Sequence, residues 1–171
     1  MPEYFIFFER ITMIAEEIKD LKKFMNFLLA SDKFDAFLVN SISITTYNTF
    51  RIDGHICREF YSDDEFNGLT QQKLSSYKTL RPICYNLIKG HKTPVKMKII
   101  FAMNESFINS LIESVETTLT LNDVNELFIN IKYENGAACC VTGASLKIFT
   151  MDKSLEHAFD KYISEFISGL S

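Results

Sequence analysis

Three histidines and four cysteines are the groups in this chain best suited to acid–base or nucleophilic work near neutral pH. His55 is the most suggestive, because Asp53 precedes it and Cys57 and Arg58 follow. A thiol beside an imidazole, or an imidazole beside a carboxylate, is the raw material of nucleophilic or general-base catalysis. On an extended segment His55 and Cys57 share a face, yet no third group stands where it would orient them, so no catalytic residue is assigned. Asp53 has a plainer reading, since Asp53-Gly54 between apolar residues is a hairpin signal that accounts for the aspartate by turn geometry alone. His157 stands in a helical stretch without a second histidine at helical spacing, which argues against a metal site. Cys139-Cys140 point to opposite faces of any strand, and no C-x-x-C pair exists, so the thiols are expected to be buried and inert and no cofactor is implied.

Charge is segregated along the chain. From Phe66 to Asn104 there is no Asp or Glu, while Lys73, Lys78, Arg81, Lys89, Lys92, Lys96 and Lys98 fall inside; that is +7 within a net charge of −4, leaving −11 on the remainder. Lys78, Arg81 and Lys89 avoid the apolar stripe of a helix, and Lys96 and Lys98 alternate with Val95, Met97 and Ile99, so both elements turn their charges to water. His91, between Lys89 and Lys92, is placed to help hold an anion or to sit in an exposed loop. Such a surface suits nucleic acid, another polyanion or an acidic protein; the alternative is a solvated face paired with the acidic remainder. No recognition-helix motif or aromatic platform accompanies it, so base-specific readout is not expected.

The elements that must position these residues alternate between short strands and helices. A strand over 13–18 leads to a helix capped by Asp20, with Leu21, Phe24, Met25 and Leu28 on one face. Residues 37–50 read as a half-buried strand, Ile42 and Ile44 opposite Ser41, Ser43 and Thr45. Asp53-Gly54 then turns the chain into a partner strand over 55–61. Ser62 to Glu65 forms a capping box. A helix from Leu74 to Ile88 carries Pro82, which predicts a kink or a restart, and Gly90 ends it. Strand 95–103, a helix capped by Asn104, strand 127–133, an Asn135-Gly136 turn, a strand over 137–150 broken near Thr142-Gly143, and a last helix capped by Asp152 complete the chain. The two halves share an order of elements, compatible with a β-α-β-β-β-α duplication or with the common succession of short α+β elements.

Several segments carry a resemblance. They are Ser43 to Phe50 running into Ile52-Asp53-Gly54, Leu87 to Gly90 with Thr93-Pro94, and Thr142-Gly143 through Lys147 into Asp152 to His157. In these the chain resembles a family of short, uncharacterised proteins of clostridial Firmicutes known as a domain of unknown function. The resemblance implies no activity, cofactor or site. Members of that family start near Met13, so residues 1–12 read as an N-terminal extension to a single domain over 13–171.

Apolar residues make up 47% of the chain and sixteen phenylalanines replace any tryptophan, which points to a Phe-packed core. No apolar run reaches the roughly 18–20 residues that span a bilayer, and the opening lacks a signal peptide's positive start, so a soluble cytoplasmic protein is expected. The fold expected is a single α+β domain, a mainly antiparallel sheet backed by three or four helices. The function expected is a non-catalytic binding module presenting Lys78, Arg81, Lys89, His91, Lys92, Lys96 and Lys98 to an anionic partner. The alternative is a small-molecule enzyme with its site at His55, Cys57 and Arg58.

Overall fold

Alternation of apolar and polar residues decides which side of each strand is buried. The computed structural model describes residues 14–69, 72–90 and 92–170; the extension at 1–12 and His91 lie outside them. Six strands form one antiparallel sheet: β1 (Ala15–Glu17), β2 (Leu38–Thr45), β3 (Thr49–Asp53), β4 (Lys96–Ala102), β5 (Val124–Glu134) and β6 (Ala137–Leu146), in the order β1-β6-β5-β4-β2-β3. Ile42 and Ile44, Met97, Ile99 and Phe101, Leu127, Ile129 and Ile131, and Cys140 form its inner face. The strand order does not repeat between the halves. Among the described residues β1 pairs with β6 at an edge, whereas β4 lies between β2 and β5, so this strand order does not support a duplication.

Four helices bring their apolar stripes to that inner face. They are α1 (Leu21–Ala30), α3 (Tyr77–Ile88), α4 (Glu105–Glu113) and α5 (Ser154–Gly169), with the short α2 (Asp63–Gly68) in the connection between β3 and α3. The starts of α1, α2 and α4 follow local chemistry, whereas α3 and α5 begin without a side-chain cap, α5 at Lys153 and not at the expected Asp152. The Asp20 side chain accepts from the Lys23 amide, Asn104 accepts from Phe107, and Ser62 with Glu65 closes a capping box. Pro82 is tolerated on the exposed side of α3, which continues through it as one element. The phenylalanines do what their number implies. Phe34, fully buried, meets Phe24, Phe37, Phe101 and Phe166 with ring centroids 5.3–5.8 Å apart, and Tyr77 packs edge-on against Phe101. Each such pair contributes about 0.5–1.5 kcal/mol beyond its buried area. Among the described residues no helix is long and apolar enough to cross a membrane.

Three local expectations fail. The β2–β3 hairpin turns at Thr46 to Asn48, with Thr45 opposite Thr49, and not at Asp53-Gly54. Asp53 ends β3, and the segment after it forms a single bridge, His55 to Leu74, before a 3₁₀ turn over Arg58–Phe60. Gly54 does not have the positive φ of a turn glycine; that belongs to Gly90, to Asn135 and to Gly136, the last two building the expected type I′ turn. Gly54 is required for another reason. Its amide donates to the Asn40 carbonyl at 2.9 Å, its carbonyl accepts from Ser75 at 2.8 Å, and a Cβ there would stand 1.7 Å from the Val39 carbonyl oxygen. Thirdly, β6 runs unbroken through Gly143, where the Phe128 ring lies over the glycine from the neighbouring strand and fills the place of its missing side chain.

Candidate functional site

With every long helix packed on one side, the other face of the sheet is uncovered among the described residues, as antiparallel sheets permit. Period-two alternation sends Ser41, Ser43 and Thr45, Lys96 and Lys98, Asn130 and Lys132, and Arg51 to this side. Register then aligns them. One cross-strand row reads Arg51, Ser43, Lys98, Lys132, Cys139, Glu17 from β3 to β1. The next reads Asp53, Ser41, Ile100, Asn130, Val141, Ala15. Lys98 and Lys132 stand directly opposite each other, and Lys96 lies opposite Glu134. Among the described residues none of Arg51, Lys96, Lys98 and Lys132 makes an ion pair. A bulge between Val39 and Ser41 breaks the β2–β4 ladder, and Asn40, which sits in it, donates to Glu126 at 3.3 Å.

At the β3 end of this face lies a groove of about 620 Å³ bounded by Asn40, Ser41, Ser43, Arg51, Asp53, His55 and Lys98. Asp53 therefore lines a concave surface, contrary to its reading as a turn residue. It accepts from His55 twice, from the backbone amide at 3.0 Å and from Nδ1 at 2.6 Å. The amide first and then the ring hold its carboxyl below the usual carboxylate range. With Nδ1 donating to Asp53, the second imidazole nitrogen is the one left to face solvent or a ligand. Cys57 and Arg58 do not join this pair. The Cys57 thiol donates to Glu59 at 3.3 Å. The Arg58 guanidinium bonds Asp63 and the Tyr61 carbonyl and lies 4.4 Å from the Phe66 ring centroid.

The seven expected binding residues do not share one surface. Lys96 and Lys98 lie on the uncovered face. Lys78 and Arg81 ride on α3 in the helical layer behind the sheet, Lys89 caps its end, and Lys92 follows in the loop before β4. Arg81 is engaged within the fold, its Nε and terminal nitrogen bonding both Asp35 oxygens at 2.7 and 3.0 Å. His91 lies outside the described residues. Arg51 and Lys132 belong to the site and were missed, because both fall outside the acid-free segment. The alternation that turned Lys96 and Lys98 outward applies equally to Lys132 between Ile131 and Tyr133. Exposed His157 stands on α5, and no group of three potential metal ligands forms among the described residues. Burial pushes the Cys84 and Cys140 thiols up to about 11 and about 12.

A profile described as a family of unknown function, DUF5721, matches residues 27–170. The chain belongs to this family. No curated protein and no solved structure matches it. The DUF5721 match begins inside α1, later than Met13, and covers β2 to β6, so it includes Arg51, Lys98, Lys132 and the Asp53–His55 pair while leaving out β1 and Glu17.

Proposed function

We propose that this protein is a non-catalytic binding module that lays a nucleic-acid backbone along the uncovered face of its sheet. The observation that carries the reading is the row of Arg51, Lys98 and Lys132, three unpaired cations on one line across four strands. Opposed lysines cost a pair of strands on the order of a few tenths of a kcal/mol, and a bound row of phosphates would turn that repulsion into attraction. Ser41, Ser43 and Asn130 offer hydroxyl and amide donors between and beside the charges, a mixture suited to phosphate oxygens. An acidic protein is less well served, because protein interfaces centre on apolar and aromatic anchors, whereas Ser43, Lys98 and Lys132 form one row across the middle of this face and Ile100 is the central apolar residue of the next. On this reading the protein works in the cytoplasm of a clostridial Firmicute and recognises its partner without reading bases.

The test is binding to single-stranded RNA, single-stranded DNA and duplex DNA at two salt concentrations. Three neutralised phosphates on a single strand give a slope of log K against log salt of about −2. Replacing Arg51, Lys98 and Lys132 together by Glu should abolish binding, while replacing Lys78 and Lys89 should leave it intact. No binding at low salt, or equal loss from the α3 control, would reject the reading; binding to an acidic peptide alone would exchange the partner.

A small-molecule enzyme is the second reading, favoured by the Asp53–His55 hydrogen bond at the groove. In it His55 serves as general base and Arg51 and Lys98 hold an anionic substrate. Loss of turnover with unchanged binding in His55→Ala would select it over the first.

A further inference from the structure

A second concave site lies on the opposite side of the sheet, independent of the cationic row. α1, the end of α3 and the loop before β4 leave a groove of about 470 Å³ between them. Its walls are apolar: Leu21, Met25 and Leu29 from α1, Ile88 from α3, and Pro94. Tyr133, from the inner row of β5, closes one side. Four polar side chains meet this apolar surface, Thr93 among them. Lys22 and Lys92 line the groove, are exposed, and have no ion pair among the described residues. The Tyr133 hydroxyl has no hydrogen-bond partner among them either and, although its ring is buried, the oxygen reaches the surface. Small-molecule sites combine such features: a few hundred Å³, largely apolar walls and a few polar groups that fix orientation.

From this arrangement we infer that the groove binds a small amphipathic anion, an apolar body of about ten carbons bearing one carboxylate. Charge complementarity selects this occupant. Two lysines without carboxylate partners favour an acid head, and the phenol adds a hydrogen-bond donor to it. The apolar body covers Met25 and Ile88, which α1 and α3 leave partly exposed between them, above the buried Leu29. An apolar helix of another chain would cover the walls but leave both lysines unanswered.

The probes are decanoate, hexanoate and decanol, titrated into the full chain and followed by methyl chemical shifts at Met25, Leu29 and Ile88. Decanoate should bind saturably with Kd below about 1 mM, and hexanoate more weakly because each lost methylene removes apolar burial. Decanol, with the same body and no charge, should bind about tenfold or more weakly. Lys22→Glu and Lys92→Glu, both at exposed positions, should each weaken decanoate by about tenfold or more without altering decanol or the melting temperature. Met25→Trp, which fills the groove, should remove binding of both. Equal binding of decanol and decanoate, decanoate binding unchanged in the lysine variants, or no shifts at the groove methyls would overturn the inference. Dimerisation of the wild-type chain that Met25→Trp abolishes would overturn it too, by assigning the groove to a second copy.

Discussion

Gly54 illustrates how one residue can be required by what passes beside it. Its backbone stands between the β2 bulge and the segment before α3, bonded to both, with the Val39 carbonyl in the space a side chain would take. That neighbour is backbone and cannot rotate away. Gly54→Ala should therefore destabilise the protein by about 3 kcal/mol or more, measured by denaturant unfolding. Gly136→Ala makes the contrast. Open space surrounds Gly136, and only its φ of +75° opposes a side chain, so the expected loss is about 1–2 kcal/mol. Equal losses would refute the close-approach account of Gly54. The Asp53–His55 pair immediately before and after depends on that junction, since Gly54 sets where β3 stops and the imidazole begins.

At the scale of elements, α5 is held by two aspartates whose environments oppose each other. Asp152 precedes the helix and accepts from the Thr117 hydroxyl and the Ser154 amide, which hold its carboxyl at about 2. Its contribution is present above its ordinary value of 3.8 and is lost as pH falls through about 2. Asp160 lies at mid-helix, 6% exposed, accepting from Thr142 on β6, whose hydroxyl oxygen also accepts from the Ile14 amide. Burial raises the Asp160 carboxyl above 3.8, the Thr142 hydrogen bond opposes the shift, Glu156 adds to it and His157 subtracts. A raised carboxyl favours folding most when protonated, so that contribution is full below 3.8 and is lost as pH rises through the folded value. Asp160→Asn keeps an acceptor for Thr142 and removes the charge. Relative to wild type it should gain stability as pH rises above 3.8, whereas Asp152→Asn should lose stability over its own range, from about pH 2 upward. Thermal unfolding across pH reads both signs, and an Asp160→Asn difference that does not change with pH would contradict the assignment.

For the molecule as a whole, the single inner core makes two of its thiols reporters of global unfolding. Cys84, on α3, and Cys140, on β6, are buried in that core with their thiols raised to about 11 and about 12, while Cys57 is exposed. A thiolate-selective reagent at pH 8 should label Cys57 within the first phase. Cys84 and Cys140 should react only with unfolding and share one denaturant midpoint, because α3 and β6 drain into the same core. Separate midpoints for the two would divide the molecule into independent halves. The sheet's asymmetry belongs to this scale as well. Among the described residues the long helices spend their apolar stripes on one side, so the exposed lysines of the other face keep their charge in water.

Much of this was legible from local chemistry. Asp20 and Asn104 as caps, the Ser62–Glu65 box, the Asn135-Gly136 turn and the outward facing of Ser41, Ser43, Lys96 and Lys98 depend on residues within a few positions of one another, where spacing alone sets geometry. The mixed sheet-and-helix class followed from the same periods. Tertiary structure decided the rest. Register between distant strands put Arg51, Lys98 and Lys132 on one row and left the lysines of α3 behind the sheet. Asp35 took Arg81 out of the basic set across 46 positions of sequence. The role of Asp53-Gly54 changed because the approach of Val39 and Ser75, which no local pattern encodes, leaves room for no side chain. Where a charge ends up depends on which face the helices cover, and that is settled by packing between segments far apart in the chain.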